Sequence, residues 1–332
     1  MAQRKSTIVR VYSLPWTTRA AFRLLDRLAP ALSARWAERI WFTLPRTRSR
    51  PASGARRSAD RSASASARPD TTRPVTTEGP GPGATFAVEV DGHRVVGTAW
   101  GHGPVVYLVH GWAGRHQQLT ALVAPLVAAG HRVVAFDAPS HGASAPGRYG
   151  PRSSSIPEFA AALTAVVAVH GPAYAVIAHS LGATATAVAL CDGLRAGRLV
   201  LLAPMASPAW FAEGLARVLG FGPRTHRRLT ARVERRVGAP MRHFDVPELG
   251  RAVAMPPTLV IHDRDDTYTP VSDGAAIAAA WPRARLHVTS GLGHRRLLRD
   301  PAVLAETVAF VTTATDRPDR DVEACRQVVD PV

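Results

Sequence analysis

The most constraining stretch of the sequence is Tyr174-Ala-Val-Ile-Ala-His-Ser-Leu-Gly-Ala183. An apolar, β-forming run passes into Ala178-His179-Ser180-Leu181-Gly182 and then directly into an Ala-rich run that reads as a helix over Ser180–Cys191. A small-x-Ser-x-small turn between strand and helix is tight enough that a bulky side chain at 178 or 182 would collide with a neighbouring strand or helix. The turn lifts Ser180 above the sheet at a helix N-terminus, where backbone dipoles favour developing negative charge. Ser180 is therefore a candidate nucleophile. Taken alone, a helix N-cap is the competing reading.

A serine nucleophile needs a base and a group to orient the base, and both follow downstream. Thr258–His262 reads as a strand and runs into Asp263-Arg-Asp-Asp-Thr-Tyr-Thr-Pro270; the next strand, Leu286–Thr289, precedes Gly291-Leu-Gly-His-Arg-Arg-Leu-Leu298. The order is serine, acid, histidine, on consecutive strand ends. In this arrangement Ser180 attacks a carbonyl, His294 takes and returns the proton, and an acid holds the imidazole tautomer. Asp266, four residues before Pro270, is the preferred acid, with Asp263 and Asp265 as alternatives. Two backbone N–H groups are needed for the developing oxyanion. The expected donors are Leu181, after the nucleophile, and Trp112 in His110-Gly111-Trp112-Ala113-Gly114. The Trp112 ring is expected to line an acyl pocket or to belong to the core.

Around these segments the sequence alternates strand and helix. Phe86–Val90 and Arg94–Ala99 flank the hairpin signal Asp91-Gly92. Strands follow at Val105–His110, Val133–Asp137, Tyr174–Ala178 and Leu199–Ala203, before Thr258–His262 and Leu286–Thr289. Helices are expected at Gln117–Ala129, Ile156–His170, Ser180–Cys191, Ser272–Trp281 and Ala302–Thr313. Strands apolar on both faces, separated by helices, imply an α/β fold: a mostly parallel sheet covered on both sides, with the opening hairpin antiparallel at one edge. More than fifty residues separate the sixth strand from the seventh, too many for a simple connection. With Trp210, Phe211, Leu215 and an Arg-rich helical run over Thr225–Val237, this interval reads as a helical cap at about 205–256.

HGWAGR at 110–115, FDAPSHGAS at 136–144, AHSLGA at 178–183, HDRDDTYTP at 262–270 and GLGHRRLL at 291–298 together resemble the α/β-hydrolase fold superfamily, in its esterase, lipase and serine aminopeptidase-like branch. The resemblance spans about Ala84 to Thr313. It implies a serine hydrolase cleaving a carboxylic ester, or less readily an amide or thioester, through an acyl-enzyme on Ser180. Acyl transfer, C–C cleavage, lyase chemistry and a non-catalytic membrane-associated binding protein are the alternatives. Two departures stand out: Ser140 and Asp263 each occupy a place where the family often has Gly. A serine in place of an aspartate nucleophile removes dehalogenase and epoxide-hydrolase chemistry from the implication.

The net charge of +16 in 332 residues is unevenly spread. Residues 1–83 hold sixteen Lys/Arg against five Asp/Glu, and Lys5 is the one lysine among 41 basic residues. No nucleic-acid-binding fold accompanies this charge, so no nucleic acid is expected as partner. Within residues 1–44, Phe22, Leu25, Leu28, Leu32, Trp36 and Ile40 recur at helical spacing, with Pro30 placed to start a second helix and five arginines on the polar face. Packing against the main domain is the preferred reading of this amphipathic basic segment, and peripheral membrane contact through residues 16–44 is the alternative. Deletion of residues 1–83 is on this basis expected to leave activity largely intact. Residues 45–83 read as a disordered linker, 84–315 as the hydrolase domain and 316–332 as a C-terminal tail. Cys191 and Cys325 make no disulfide framework. Met1 to Trp16 lacks the apolar stretch of a secretory signal, so secretion is not expected, although an organellar transit peptide shares the composition of this segment. No apolar run approaches the roughly 20 residues of a membrane span. A cytoplasmic protein is expected, with the inner membrane face as its alternative site. Its partner is a small-molecule acyl substrate, and no cofactor or metal is implied by the motifs.

Overall fold

The computed structural model describes residues 15–45 and 81–313. The expected linker falls almost wholly outside these residues, as do the C-terminal tail, Cys325 and the start of the N-terminal segment.

Eight strands form one sheet in the order β1-β2-β4-β3-β5-β6-β7-β8. They are β1 (Ala84–Val90), β2 (His93–Trp100), β3 (Val105–Val109), β4 (Arg132–Phe136), β5 (Ala173–His179), β6 (Leu199–Leu202), β7 (Thr258–Asp263) and β8 (Ala284–Thr289). β1 and β2 pair antiparallel through Asp91 (φ 50°) and Gly92 (φ 76°), the two positive-φ positions that a type I′ turn demands. β2 meets β4 antiparallel, and the pairings among β3 to β8 are parallel.

Side chains alternate across this sheet. Val105, Tyr107 and Val109 of β3 enter one core with Phe159 and Leu163 of α4 (Ile156–His170), Ala183 and Leu190 of α5 (Leu181–Cys191), Leu249 of α8 (Val246–Ala252) and Ile277 of α9 (Val271–Ala280). Val106 and Leu108 enter the other, with Val123 and Leu126 of α3 (Val123–Ala128) and Val303 and Val311 of α10 (Pro301–Thr312). A strand covered on both faces has no polar side to reveal, so the expected runs of continuous apolar residues follow from this layering.

One expected helix is corrected. Gln117–Ala129 is a 3₁₀ turn over His116–Leu122 followed by the short α3. Pro125 has no N–H to donate and its ring would clash with the carbonyl four residues back, so the α-helix begins only at Val123, with Pro125 in its first turn. Ahead of it, the His116 N–H is drawn to Asp137 Oδ1 at 2.8 Å.

Between β6 and β7 lie α6 (Pro208–Leu219), α7 (Pro223–Val237) and α8. The N-terminal helices α1 (Trp16–Leu28) and α2 (Pro30–Phe42) pack on this insertion, and Pro30 opens α2. Phe22, Ala37 and Phe42 share a separate core with Leu215, Leu219, Phe221, Leu229 and Val233. Glu38 is buried and paired with Arg232 at 2.5 Å. Phe42 also lies under the Arg236 guanidinium, 4.3 Å from the ring centroid. α1 and α2 are thus part of the cap's own core.

Candidate active site

The turn after β5 puts Ser180 at φ 55° and ψ −123°, a conformation that L residues seldom adopt and that neighbouring contacts must hold. The Ser180 N–H donates to the Leu202 carbonyl at 3.0 Å, and its own carbonyl accepts from Ala183 at 3.0 Å. Two glycines make room for the turn. A Cβ on Gly182 would run into the carbonyls of His110 and Val109, and one on Gly111 would lie 2.8 Å from the Ser180 Cβ.

Three side chains from separate strand ends meet here. His294 Nε2 is 3.1 Å from Ser180 Oγ, and His294 Nδ1 is 2.7 Å from Asp266 Oδ2. With Nδ1–H donating to the carboxylate, Nε2 is free to accept the serine proton. Asp266 Oδ1 also accepts the N–H groups of Tyr268 (2.7 Å) and Thr269 (3.1 Å). Burial alone would raise the Asp266 pKa. Hydrogen bonds from His262 and His294, and the positive charge available on His294, hold it well below the usual carboxylate range. The Tyr268 ring stacks on the His294 imidazole at 4.9 Å and fixes its plane.

The other two carboxylates of the turn act on the backbone of the loop that carries His294. Asp263 Oδ1 accepts from Gly293 at 2.9 Å, and Oδ2 accepts from Leu292 at 3.0 Å and from Thr289 Oγ1 at 2.8 Å. Asp265 Oδ2 accepts from Gly291 at 2.8 Å. Three acids within four residues therefore divide the work. One holds the imidazole, and two hold the turn from which it projects.

His179 sits beneath this pair and is fully drawn into the interior. Its Nε2–H donates to the His294 carbonyl at 3.0 Å. Burial first, and then the neighbouring His294, push its pKa well below the usual imidazole value. A neutral ring there adds no second positive charge when His294 takes a proton.

The two expected oxyanion donors flank the nucleophile. Neither the Leu181 N–H, at the first position of α5, nor the Trp112 N–H has a hydrogen-bond partner among the described residues. The loop bearing Trp112 is held by two histidines that sequence reasoning did not single out. The Ala113 N–H, at a residue with φ 55°, donates to His141 Nε2 at 3.2 Å, while His141 Nδ1–H donates to the Pro139 carbonyl at 2.9 Å. His110 Nδ1–H donates to the Gly111 carbonyl at 2.7 Å, and its Nε2 accepts from Ala138 at 3.0 Å. Burial, followed by the nearby His110, lowers the His141 pKa to about 3, so the ring stays neutral and can accept. The signal for both was present in the paired HGW and PSHG stretches, each of which places a histidine beside a glycine at a strand end.

Ser180, Trp112 and His294 open onto a cavity of about 400 Å³ with a mainly apolar lining. Its walls include Phe211 and Met241 from the cap and Ile40, Trp41, Phe42 and Leu44 from the end of α2 and just beyond. The Trp41 ring meets Phe211 edge-on at 5.3 Å. Residues 40–44 thus supply one wall of the cavity above Ser180, a place in the site that the sequence reading of residues 1–44 did not give them.

A profile described as the alpha/beta hydrolase family matches residues 106–307, more than half of the chain. No curated protein sequence matches the chain. Among solved structures, it is similar to the esterase RhEst1 from Rhodococcus sp. ECU1013, with 21% identity, TM-score 0.53, and coverage of 69% of this chain and 98% of that one. It is also similar to a bacterial membrane phospholipase A, at 17% identity and TM-score 0.54, covering 70% and 88% of the two chains. A bromoperoxidase from Bacillus anthracis has 17% identity and TM-score 0.53, with 70% and 100% covered. Likeness at this level is likeness of fold, and the three names span different chemistries. Helices α1 and α2 lie before the span that the family profile matches.

Proposed function

Because the chain belongs to the alpha/beta hydrolase family, we propose that it is a serine hydrolase acting on carboxylic esters of apolar acyl chains, with Ser180, His294 and Asp266 as its catalytic triad. One observation carries the reading: the linked Ser180, His294 and Asp266 side chains, at 3.1 and 2.7 Å, open directly onto a largely apolar cavity.

The steps follow from the positions of the groups. Ser180 Oγ adds to the ester carbonyl as its proton passes to His294 Nε2, and Asp266 stabilises the imidazolium through Nδ1–H. The negative charge on the former carbonyl oxygen is met by the N–H groups of Leu181 and Trp112. Collapse of the tetrahedral intermediate breaks the C–O bond, and His294 returns the proton to the departing alcohol. Water then attacks the acyl-enzyme with His294 again as base, which frees the carboxylic acid and restores Ser180. The acyl chain lies in the apolar cavity, where burial is favourable by about 0.8 kcal/mol per methylene. The esterase and phospholipase names of similar folds agree with ester cleavage without deciding it.

The test is labelling with a fluorophosphonate probe and mapping of the modified peptide, with Ser180→Ala as control, followed by a panel of p-nitrophenyl esters of increasing chain length. Label on Ser180, with turnover that improves from acetate to longer chains, is the expected result. Folded protein that neither labels nor turns over any ester overturns the proposal.

A further inference from the structure

Nine large apolar side chains stand exposed among the described residues, and five of them lie on α1 and α2: Trp16 (79%), Leu24 (58%), Leu28 (75%), Leu32 (56%) and Trp36 (36%). They are ordered along the helices. Trp16, Leu24 and Leu28 recur at multiples of four along α1, and Leu32 and Trp36 do so on α2. The opposite faces of the same helices are already occupied, by Phe22, Ala37 and Phe42 against the cap. Trp36, the least exposed of the five, also stacks on the buried Phe22 ring at 4.4 Å, whereas Trp16, Leu24, Leu28 and Leu32 belong to none of the buried clusters.

Charge on the same helices is sorted as sharply. Arg19, Arg23, Arg27, Arg35 and Arg39 are all exposed. The two acids of the pair turn inward, Asp26 to the Thr225 N–H at 3.0 Å and Glu38 to Arg232 at 2.5 Å. The outward face is therefore apolar and cationic, with no exposed carboxylate. We propose that this face docks the protein on an anionic lipid bilayer, with α1 and α2 lying in the plane of the headgroups. Leucine and tryptophan side chains at such a surface enter the boundary of the acyl region, while long arginine side chains reach up to lipid phosphates. A second copy of the chain would bring five arginines against five with no acid between them. An α1 of 13 residues is too short to span the hydrocarbon, and no described helix is long and apolar enough to cross a membrane. The rest of residues 1–83, with eleven Lys/Arg against three Asp/Glu, adds longer-range attraction of the same sign. Since α2 carries the outward stripe and ends in residues that line the cavity, docking puts one wall of that cavity at the lipid surface.

Cosedimentation of the full chain with vesicles tests this without any assumption about catalysis. Phosphatidylglycerol-containing vesicles are compared with pure phosphatidylcholine at low and high salt, for the wild type, Leu24→Glu/Leu28→Glu and Arg19→Gln/Arg23→Gln/Arg27→Gln. The wild type is expected to partition to the anionic vesicles, and each variant to do so at least about tenfold less while melting as the wild type does. Hydrolysis of a short, water-soluble ester by both variants should equal that of the wild type, so failure of docking and failure of the proposed activity are read separately. Absence of binding, equal binding to neutral vesicles, or unaltered binding by both variants overturns the proposal. So does a concentration-dependent dimer that Leu24→Glu/Leu28→Glu disperses, which would assign the stripe to a second copy.

Discussion

The Asp26 carboxylate accepts the backbone N–H of Thr225 at 3.0 Å, so a residue of α1 caps the start of α7, 199 positions further along the chain. α7 has Gly222 as its own N-cap and therefore no local side chain to offer. Burial opposes ionisation of Asp26, but hydrogen bonds from Thr225 and Gly222 and the charge of Arg224 keep its pKa below the usual value. Asp26→Ala should cost about 1 kcal/mol in chemical denaturation, in the range of a lost N-cap. A stability unchanged by the substitution would show that the helix start is satisfied in another way.

The α2 wall yields a prediction about substrate range. Trp41→Ala enlarges the cavity and should move the preferred p-nitrophenyl ester toward longer chains, with little change in kcat for the shortest. Phe42→Ala removes a buried ring packed in the cap core and should lower stability by about 3–5 kcal/mol. Deletion of residues 1–45 should abolish selectivity for long chains, measured as the ratio of kcat/KM for octanoate and acetate esters.

The three acids of the 263–266 turn should separate cleanly under mutation. Asp266→Asn leaves the packing in place but presents the wrong group to His294 Nδ1, and should reduce kcat by about 10⁴-fold while the fold by circular dichroism stays intact. Asp263→Ala leaves the Leu292 and Gly293 N–H groups without their acceptor and should lower the melting temperature as well as the activity. Equal loss of activity with equal thermal stability in both would contradict the division of roles.

Gly111→Ala probes the oxyanion loop. The new methyl would lie 2.8 Å from the Ser180 Cβ and 3.0 Å from the His179 carbonyl, so the loop carrying the Trp112 N–H must move. A fall in kcat of about 10²-fold, with KM nearly unchanged, is the size expected when one oxyanion donor is misplaced. Circular dichroism should show the fold intact.

Asp273 gives a pH dependence of stability. The carboxyl is 3% exposed, accepts only the Ala206 N–H through Oδ2, and has no partner at Oδ1 among the described residues. Burial raises its pKa to about 6, and Asp266 and Asp245 push the same way against the Ala206 hydrogen bond and His262. An acid whose folded pKa lies above its unfolded value favours folding below the unfolded pKa, and that advantage is lost as pH rises toward 6. Asp273→Asn should therefore gain stability relative to wild type between pH 4 and 6 and keep the gain, on the order of 2–3 kcal/mol, at pH 7. Thermal melts of both proteins at pH 4 and 7 test it, and an equal difference at the two values would refute it.

Ser180 and His294 were legible in sequence because the local backbone announces them: a turn flanked by Ala178 and Gly182 for one, and a turn between Gly291 and Gly293 for the other. The acid was legible only as a group of three, since Asp263, Asp265 and Asp266 have equal chemistry and differ in which way a turn aims them. That aim is set by the Tyr268 and Thr269 N–H groups on one side and the 291–293 backbone on the other. The central strands β3 to β7 could be read because each is an apolar run with clear punctuation, and the Asp91-Gly92 hairpin signal marks the half-polar β1 and β2 at the edge. Where α1 and α2 pack could not be read, because amphipathicity says that a face is buried and not against what. Their partners, among them Leu215 and Leu229, lie almost two hundred residues downstream.

The proposed catalytic groups, from Trp112 to His294, all lie after residue 105, whereas Ile40, Trp41, Phe42 and Leu44 come from before residue 46. One wall of the cavity is thus encoded on a piece of chain separate from the proposed catalytic groups, and it meets them and the cap residues Phe211 and Met241 through side-chain packing. A change among residues 40–44 redraws that wall, while the Ser180–His294 and His294–Asp266 distances are set by strand ends elsewhere in the chain.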